Sequence, residues 1–469
     1  MSGKFQCKVV PSTWIEHNDR RLDCGPYVSG AIEAKELLSH LPTVPLNELT
    51  DGFKGGIYNG TPFVRNYVDD PTHGVPFLTT SSLLQADLSN LSLLSKKDAQ
   101  SRRLSFLEIE PGMTLITCSG SIGRMVYARS DMSGIWSNQD IMKVVPNPDL
   151  IKPGYLYAYL CSRFGVPLIV SGTYGAIIPH IEPQHISDLP VPRLGDVEND
   201  AHNLVQRAAD LRTEAARNIE ETSAEFIAEL GLSPLCSSDV TKLGWSAISS
   251  RDLRRRLDAP YHSPAALEAE MSVRSGRYPV ERLKAVTDRL FKPPIFKRLW
   301  VDGPEYGRQF VSGNDAYLYE ANELRYVSPR TANFEEFIVK RGWVIFQAAG
   351  QIYGLFGRPL LVSGWLEDIF CADDLYRIVP KTVDDGAYIY LFLRTAHGQV
   401  LLKRQASGNS IPRVWDPHME EFELPWPEES IRKRLARPVI EAHDKMAAAL
   451  ALQRQAIGLV ERAIEERGR

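Results

Sequence analysis

Leu189-Pro190-Val191-Pro192 and Leu424-Pro425-Trp426-Pro427 close two tracts of this chain in the same way, and a long amphipathic segment follows each. After the first, Val197, Ala201, Leu204, Ala208, Leu211, Ala215, Ile219, Thr222, Phe226 and Leu230 recur at alternating steps of about three and four, the spacing of a coiled-coil seam. After the second, Leu435, Val439, His443, Met446, Leu450, Gln453, Ile457, Val460 and Ile464 do the same, with Pro438 either opening that helix at its first turn or kinking it. Gly231 and Pro234 end the first helix. At 1.5 Å per residue, a helix of about 33 residues is about 50 Å long, longer than one domain is wide, so it reads as a spacer. Two such seams in one chain most simply bury each other, and the chain path makes the pairing antiparallel.

Working outward from the two stops, the remainder is also written twice. Arg20-Arg21-Leu22-Asp23-Cys24-Gly25-Pro26-Tyr27 returns, one residue shorter, as Arg255-Arg256-Leu257-Asp258-Ala259-Pro260-Tyr261. Pro111 to Ile116 answers to Lys340 to Ile345, and Gly120 with Ile122 to Gly350 with Ile352. Ile141-Met142-Lys143-Val144-Val145-Pro146 matches Leu375-Tyr376-Arg377-Ile378-Val379-Pro380, a strand pattern in both copies. Gly154 to Leu160 matches Gly386 to Phe392 at helical spacing, and Gly175-Ala176-Ile177-Ile178-Pro179-His180-Ile181 pairs with Gly408-Asn409-Ser410-Ile411-Pro412-Arg413-Val414. The order is kept throughout. The expected fold class is therefore α/β (α+β): two similar globular units, 1–195 and 233–428, separated by a long antiparallel two-helix coiled coil built from 196–232 and 429–469.

Composition agrees with an ordered protein of more than one core: 469 residues, 43% hydrophobic, 24% charged and 9% aromatic. The net charge of −4 removes a whole-protein basic signature, so a nucleic-acid role needs local basic surface. Six isolated cysteines, 7, 24, 118, 161, 236 and 371, form no C-x-x-C pair and read as buried thiols in a reducing compartment. The N-terminal stretch lacks the apolar core of a secretory signal, and no window approaches the length of a membrane span, so the expected location is the cytoplasm, away from membranes.

Catalytic motifs fail one by one. Asp258-Ala259-Pro260-Tyr261 is one residue from the Asp-Pro-Pro-Tyr loop of adenine N6-methyltransferases, but the first copy carries an extra residue and no Gly-x-Gly helix start stands nearby. Asp23 with Glu33-Ala34-Lys35 has the shape of a nuclease metal site, which the second copy, Glu268-Ala269-Glu270, does not keep. Gly120-Ser121-Ile122-Gly123 lacks the first glycine of a nucleophile elbow and reads as a tight turn between strands. Ten histidines without H-E-x-x-H or a paired cysteine give no zinc site. The chain reads as a non-enzyme without metal or cofactor.

What remains is a protein with two similar binding surfaces, and duplex DNA is a natural two-part ligand. Basic and amide side chains gather where loops are expected: Lys54, Arg65, Thr79, Thr80 and Ser81 in the first unit, and Lys292, Lys297, Arg298, Arg308, Gln309, Asn314, Arg404, Asn409 and Arg413 in the second. Arg and Lys suit phosphates or guanine edges, and Asn and Gln suit adenine.

Two halves, each ending in a Gly-x-x-Ile-Pro segment, a Leu-Pro-x-Pro stop and a long helix, resemble the specificity subunit of Type I restriction-modification systems over almost the whole chain. The Asp51-Gly52-Phe53-Lys54 turn, the Val75-Pro76-Phe77-Leu78 strand, Gly112 to Gly123, and Asn138-Gln139 look like a target recognition domain of that family, which adds Ser121 to the candidate DNA contacts. The second half has Gly350-Gln351-Ile352-Tyr353 and Ala372-Asp373 in place of Gly-Ser-Ile-Gly and Asn-Gln, and the longer approach over residues 1 to 45 marks a divergent branch. The resemblance implies a non-catalytic subunit that reads double-stranded DNA in two half-sites. Its helices would set the spacing and dock methyltransferase subunits, two copies of them, which carry S-adenosylmethionine, with a restriction or other effector subunit as a further partner. The seam residues Leu204, Leu211, Ile219, Phe226, Leu450, Ile457 and Ile464 are the partner-binding candidates. The alternative is a two-headed protein-interaction scaffold without DNA specificity, and DNA binding that falls steeply with salt separates the two.

Overall fold

The computed structural model describes residues 7–17, 24–172, 180–236, 244–251, 253, 256–320, 324–408 and 410–468. Apolar and β-branched runs such as Thr114-Leu115-Ile116-Thr117 and Ile141-Met142-Lys143-Val144 are buried on both faces, and they form the middle of a sheet covered on both sides. The chain divides into two compact units, 1–213 with 448–469, and 214–447.

The first unit contains β1 (Thr43–Pro45), β2 (Ile57–Tyr58), β3 (Tyr67–Val68), β4 (Gly74–Leu78) and β5 (Ser92–Ser95). It continues with β6 (Thr114–Thr117), β7 (Met125–Tyr127), β8 (Trp136–Ser137), β9 (Ile141–Val144) and β10 (Pro190–Pro192). These strands make a main sheet in the order β2-β9-β6-β7, a second sheet in the order β3-β5-β4-β8 and a ribbon β1-β10. All pairings are antiparallel except β4 with β8.

The second unit contains β11 (Val280–Arg282), β12 (Thr287–Phe291), β13 (Trp300–Val301), β14 (Arg308–Val311) and β15 (Tyr326–Val327). After these come β16 (Val344–Gln347), β17 (Pro359–Leu361), β18 (Phe370–Cys371), β19 (Leu375–Pro380) and β20 (Glu423–Pro425). Their orders are β12-β19-β16-β17, β13-β15-β14-β18 and β11-β20, again with one parallel pair, β14 with β18. Every strand of the first unit thus has a counterpart with the same neighbours in the second, which is the duplication seen in the sequence.

Hydrogen-bond register refines that duplication. Lys143 lies between Tyr58 and Leu115, and Arg377 between Phe291 and Ile345, as the strand match requires. The Leu-Pro-x-Pro match slips by two residues, because Pro192 stands in its ribbon where Pro425 stands in the other. The buried tyrosines follow the ribbon: the Tyr155 hydroxyl donates to the Pro192 carbonyl, and Tyr388 donates to that of Pro425 at 2.8 Å. A carbonyl of the ribbon is what each tyrosine needs, and neighbouring prolines supply no N–H to compete.

The helices Pro153–Leu160 and Val383–Arg394 cover the main sheets and are almost wholly buried. The long helices Asp196–Leu230 and Glu429–Gly468 are shared between the two units. Within the first unit Ala208 and Leu211 pack with Ala449 and Leu452, and Ala201 and Val205 share a core with Ala456, Val460 and Ile464. Within the second, Ala215 and Ile219 pack with Ala442 and Met446, and Phe226 and Leu230 with Leu435 and Val439. The pairing is antiparallel, and the seam positions read from the spacing are the ones covered. Pro438 lies inside its helix, so it does not open it.

Four cysteines depart from expectation. Cys118, just past β6, and Cys371, in β18, are buried, but Cys7, Cys24 and Cys236 are exposed and Cys161 is half-buried. All six are free thiols.

Candidate nucleic-acid interface

The second sheet of each unit carries the same small constellation. Register aligns Ile57-Tyr58 with Leu290-Phe291, and Phe77-Leu78, beside Trp136-Ser137, with Phe310-Val311, beside Phe370-Cys371. Between these anchors Phe63, Arg65 and Tyr67 fall opposite Phe296, Arg298 and Trp300 without a gap. In the first unit the Arg65 guanidinium lies over Phe77 at 5.9 Å, and the Phe77 ring also meets Phe63 at 6.1 Å and Tyr67 at 6.2 Å. In the second the Arg298 guanidinium lies over Phe310 at 5.2 Å and Phe296 at 5.5 Å, while Phe310 meets Phe296 at 6.4 Å and Trp300 at 5.3 Å. A guanidinium resting on an aromatic face loses rotational freedom while its planar fork of donors stays usable at the edge. That is the preparation a bidentate contact to a base or phosphate needs.

A turn joins the two sheets of each unit, and in the first it lies beside Arg65. Asn138 N–H donates to the Leu78 carbonyl at 2.8 Å and Cys118 N–H to that of Asp140 at 3.0 Å; Ala372 to Val311 at 2.9 Å and Ala348 to Asp374 at 2.8 Å repeat the pair. Arg65 Nη2 donates to Gln139 Oε1 at 3.3 Å, which ties the stacked arginine to the turn. The Gln139 carbonyl accepts Gly60 N–H at 3.3 Å. Pro293 occupies the place of Gly60 and has no N–H, and there the Lys292 ammonium donates to the Asp373 carbonyl at 3.3 Å.

Thr79, Thr80 and Ser81 occupy the turn that leaves β4, where Thr79 N–H donates to Ser82 Oγ at 2.9 Å. Asn314 is exposed on the equivalent turn after β14, where Ser312 Oγ donates to Asp315 at 2.7 Å. Arg308 and Gln309 are exposed on β14 itself, and Lys297 is exposed beside Arg298. These residues gather about the second sheets.

Lys54 and Ser121 stand on other turns. Lys54 adopts a left-handed backbone (φ 50°) and holds its ammonium 5.6 Å from the Phe53 ring. Ser121 is exposed between β6 and β7, where Gly120 (φ 74°) and Gly123 (φ 79°) make the tight turn that the Gly-Ser-Ile-Gly stretch predicts. Arg413 is half-buried and bridges Ala349 and Ser407 through its backbone. Asn409 lies outside the described residues, as do Arg20 to Asp23 and residues 173–179 of the duplicated segments.

Arg404 is a correction. It is buried, stacks 4.0 Å from the Tyr261 ring and forms an ion pair with Glu270. Its helix, Ala396–Arg404, ends where Arg256 donates to the carbonyls of Gln405 at 3.0 Å and Ala406 at 2.8 Å, and Arg256 also holds Asp258 at 2.7 Å. The Asp-Ala-Pro-Tyr stretch is therefore a structural latch over a helix end, whose last carbonyls lack intrahelical donors. The partner-docking candidates are a second correction: Leu211, Ile219, Phe226, Leu450 and Ile464 are buried and Leu204 and Ile457 half-buried, covered by the chain's own seam and cores.

Sequence reasoning quoted Gln139 as part of a motif without naming it as a site residue, and it overlooked Arg325, whose guanidinium lies 3.7 Å from the Trp300 ring. Among the described residues there is no group of His, Cys, Asp and Glu able to hold a metal ion, and no helix is long and apolar enough to cross a membrane.

No protein-family model matches this chain, and no curated protein matches it. Among solved structures the chain is similar to the S subunit of a Type I restriction-modification system from M. genitalium, at 12% identity over 91% of this chain and 95% of that one, with a TM-score of 0.37. It is also similar to the HsdS subunit from Thermoanaerobacter tengcongensis, at 12% identity over 91% and 96%, with a TM-score of 0.27. A third similar chain belongs to a structure describing complex assembly and conformational transition of the type I R-M system, at 13% identity over 90% and 98%, with a TM-score of 0.28.

Proposed function

We propose that this chain is a non-catalytic specificity subunit that recognises a two-part, interrupted DNA target, one half through each unit. The observation that carries the reading is the repeated constellation: Arg65 on Phe77 and Arg298 on Phe310, at one position of two sheets with the same strand order. A duplicated scaffold alone would keep the aromatic core without keeping an arginine at its surface. Lys292, Lys297, Arg308, Gln309 and Asn314 surround the second arginine, and Thr79, Thr80 and Ser81 lie on the corresponding turn of the first unit; Lys54, Ser121 and Arg413 are phosphate or sugar contacts at the margin.

In this reading the paired helices space the half-sites, and their outer faces dock methyltransferase subunits, two copies, with a restriction or other effector subunit joining the same complex. The methyltransferase supplies S-adenosylmethionine and the N6 methylation of adenine by which the cell separates its own DNA from foreign DNA. This chain supplies the address.

The test is to co-express the chain with its neighbouring methyltransferase and map N6-methyladenine across the host genome with and without it. An interrupted two-part motif appearing only with the chain, one half of which changes when one unit is exchanged, is the expected result. Unchanged methylation by an active methyltransferase, together with DNA binding that ignores salt, would overturn the reading in favour of a protein-binding scaffold.

A further inference from the structure

Each main sheet encloses one cation in its middle. Lys143 and Arg377 are both 0% exposed and occupy the same place in β9 and β19, among strands that are otherwise apolar. Stability gives no reason for a charge there, since exchanging buried ions for apolar side chains of similar size is often neutral or favourable. What the two cations do is hold carbonyls. Arg377 Nη1 donates to Ala372 at 2.9 Å and also to Leu375, and Nη2 donates to Cys371 at 2.8 Å. Lys143 Nζ donates to Ile141 at 3.1 Å. Ala372 lies in the turn that joins the two sheets of the second unit, Cys371 and Leu375 are the strand residues on either side of that turn, and Ile141 is the strand residue that follows the first unit's turn. Arg65 hydrogen-bonds to the first of those turns, and Lys292 to the second.

We infer that Lys143 and Arg377 are positioning residues: each fixes the turn that joins its unit's two sheets, against which Arg65 rests in the first unit and Lys292 in the second, and so sets how strictly that unit discriminates its half of the DNA target. The inference rests on the DNA-recognition reading. The guanidinium fork grips three carbonyls around the second turn, whereas the ammonium grips one beside the first. The second half-target is accordingly read more strictly than the first, and the first is the one open to tightening.

The experiment compares wild type, Arg377→Met, Arg377→Lys, Lys143→Met and Lys143→Arg, each as the full chain co-expressed with the methyltransferase. It reads the methylated motif base by base and the thermal unfolding midpoint of the purified chain. Arg377→Met is expected to lower discrimination at one or more bases of the second half by about tenfold while the first half is read as in wild type. Lys143→Met should relax only the first half, and Lys143→Arg should restore or sharpen it. Should either methionine variant fail to fold, Arg377→Lys, which keeps the charge and drops the fork, carries the test with a smaller relaxation of the second half alone. Folded variants that methylate the wild-type motif with unaltered stringency would overturn the inference and leave the DNA reading standing. A wild-type chain that directs no methylation would remove both.

Discussion

The two units keep the same turn closed by different chemistry. In the first, the Gly60 N–H meets the Gln139 carbonyl; in the second, proline has removed that donor and the Lys292 ammonium takes its place. Beneath the turns a lysine is exchanged for an arginine, and on the neighbouring strand Trp136 is exchanged for Phe370. Strand order, register and the stacked arginine stay fixed while the side chains around them vary. On the proposed reading, one backbone frame kept under varied side chains is what two modules addressing different half-sites require.

The largest expected effect tests whether the seam is one structure or two. Phe226 is 0% exposed and its ring meets Tyr388 at 5.1 Å in the core of the second unit, while Leu211 of the first unit packs with the small Ala208 and Ala449. Phe226→Ala should cost about 3–5 kcal/mol, and Leu211→Ala, facing the small Ala449, should fall nearer the lower end of about 2–5 kcal/mol. Denaturant titration of both variants measures the difference; equal losses would mean that the two seam halves pack alike.

Next comes the arginine pair. Arg298→Ala and Arg65→Ala should each cost about 1–3 kcal/mol of binding to cognate DNA and relax recognition in one half of the target only. Filter binding or fluorescence anisotropy against half-site variants reads this directly. A uniform loss over all sequences would instead make the two arginines phosphate contacts.

Much of this arrangement stood in the sequence. The seams were legible because a coiled-coil period survives averaging over many residues, and the strand at Lys143 and Arg377 because both copies present the same apolar run with one cation inside it. The arginine constellation was also written there, as Phe63-Val64-Arg65-Asn66-Tyr67-Val68 against Phe296-Lys297-Arg298-Leu299-Trp300-Val301, but only register shows that the two hexapeptides are equivalent. The Leu-Pro-x-Pro pairing misled by two residues because proline content, rather than hydrogen bonding, drew the eye. Arg404 could not be told from a surface arginine by spacing, since its burial depends on Tyr261 and Glu270, which are distant in sequence. For the same reason, seam leucines that looked like docking residues proved to be covered by the chain itself.

The buried cations also differ in how they respond to pH. Burial pushes the Lys143 ammonium down to about 7, while the Arg377 guanidinium, lowered to about 10 by burial, stays charged through the neutral range. The groups facing Lys143 do not titrate between pH 7 and 9, since burial raises the Cys118 thiol to about 11 and the Tyr58 hydroxyl to about 12. An unfolded lysine keeps its proton up to its ordinary 10.5, so between 7 and 10.5 the unfolded chain holds the extra proton and stability rises with pH. One pH unit inside that window is worth at most about 1.4 kcal/mol. The denaturation midpoint should therefore climb from pH 7 to pH 8 in wild type, and Lys143→Met should remove that part of the climb. Arg377→Met should leave it intact.

The smallest effect is the one that addresses the exchange of donors itself. Lys292→Met leaves the Asp373 carbonyl without its ammonium and, because Pro293 has no N–H to offer, without a backbone replacement, at a cost of about 0.5–1.5 kcal/mol. Adding Pro293→Gly supplies the N–H that Gly60 provides in the other unit. If the two turns are one backbone frame closed by interchangeable donors, the double variant regains most of what Lys292→Met lost, less the few tenths of a kcal/mol or more by which a glycine's freedom favours the unfolded chain. Hydrogen exchange at the amides of Ala372 and Ala348, which bracket the turn, separates this from a general change in stability: protection there should fall in the single variant and return in the double. A double variant no better than the single one would show that Lys292 serves through its charge rather than as a substitute for a missing N–H, and the equivalence of the two turns would then hold for topology but not for the chemistry that closes them.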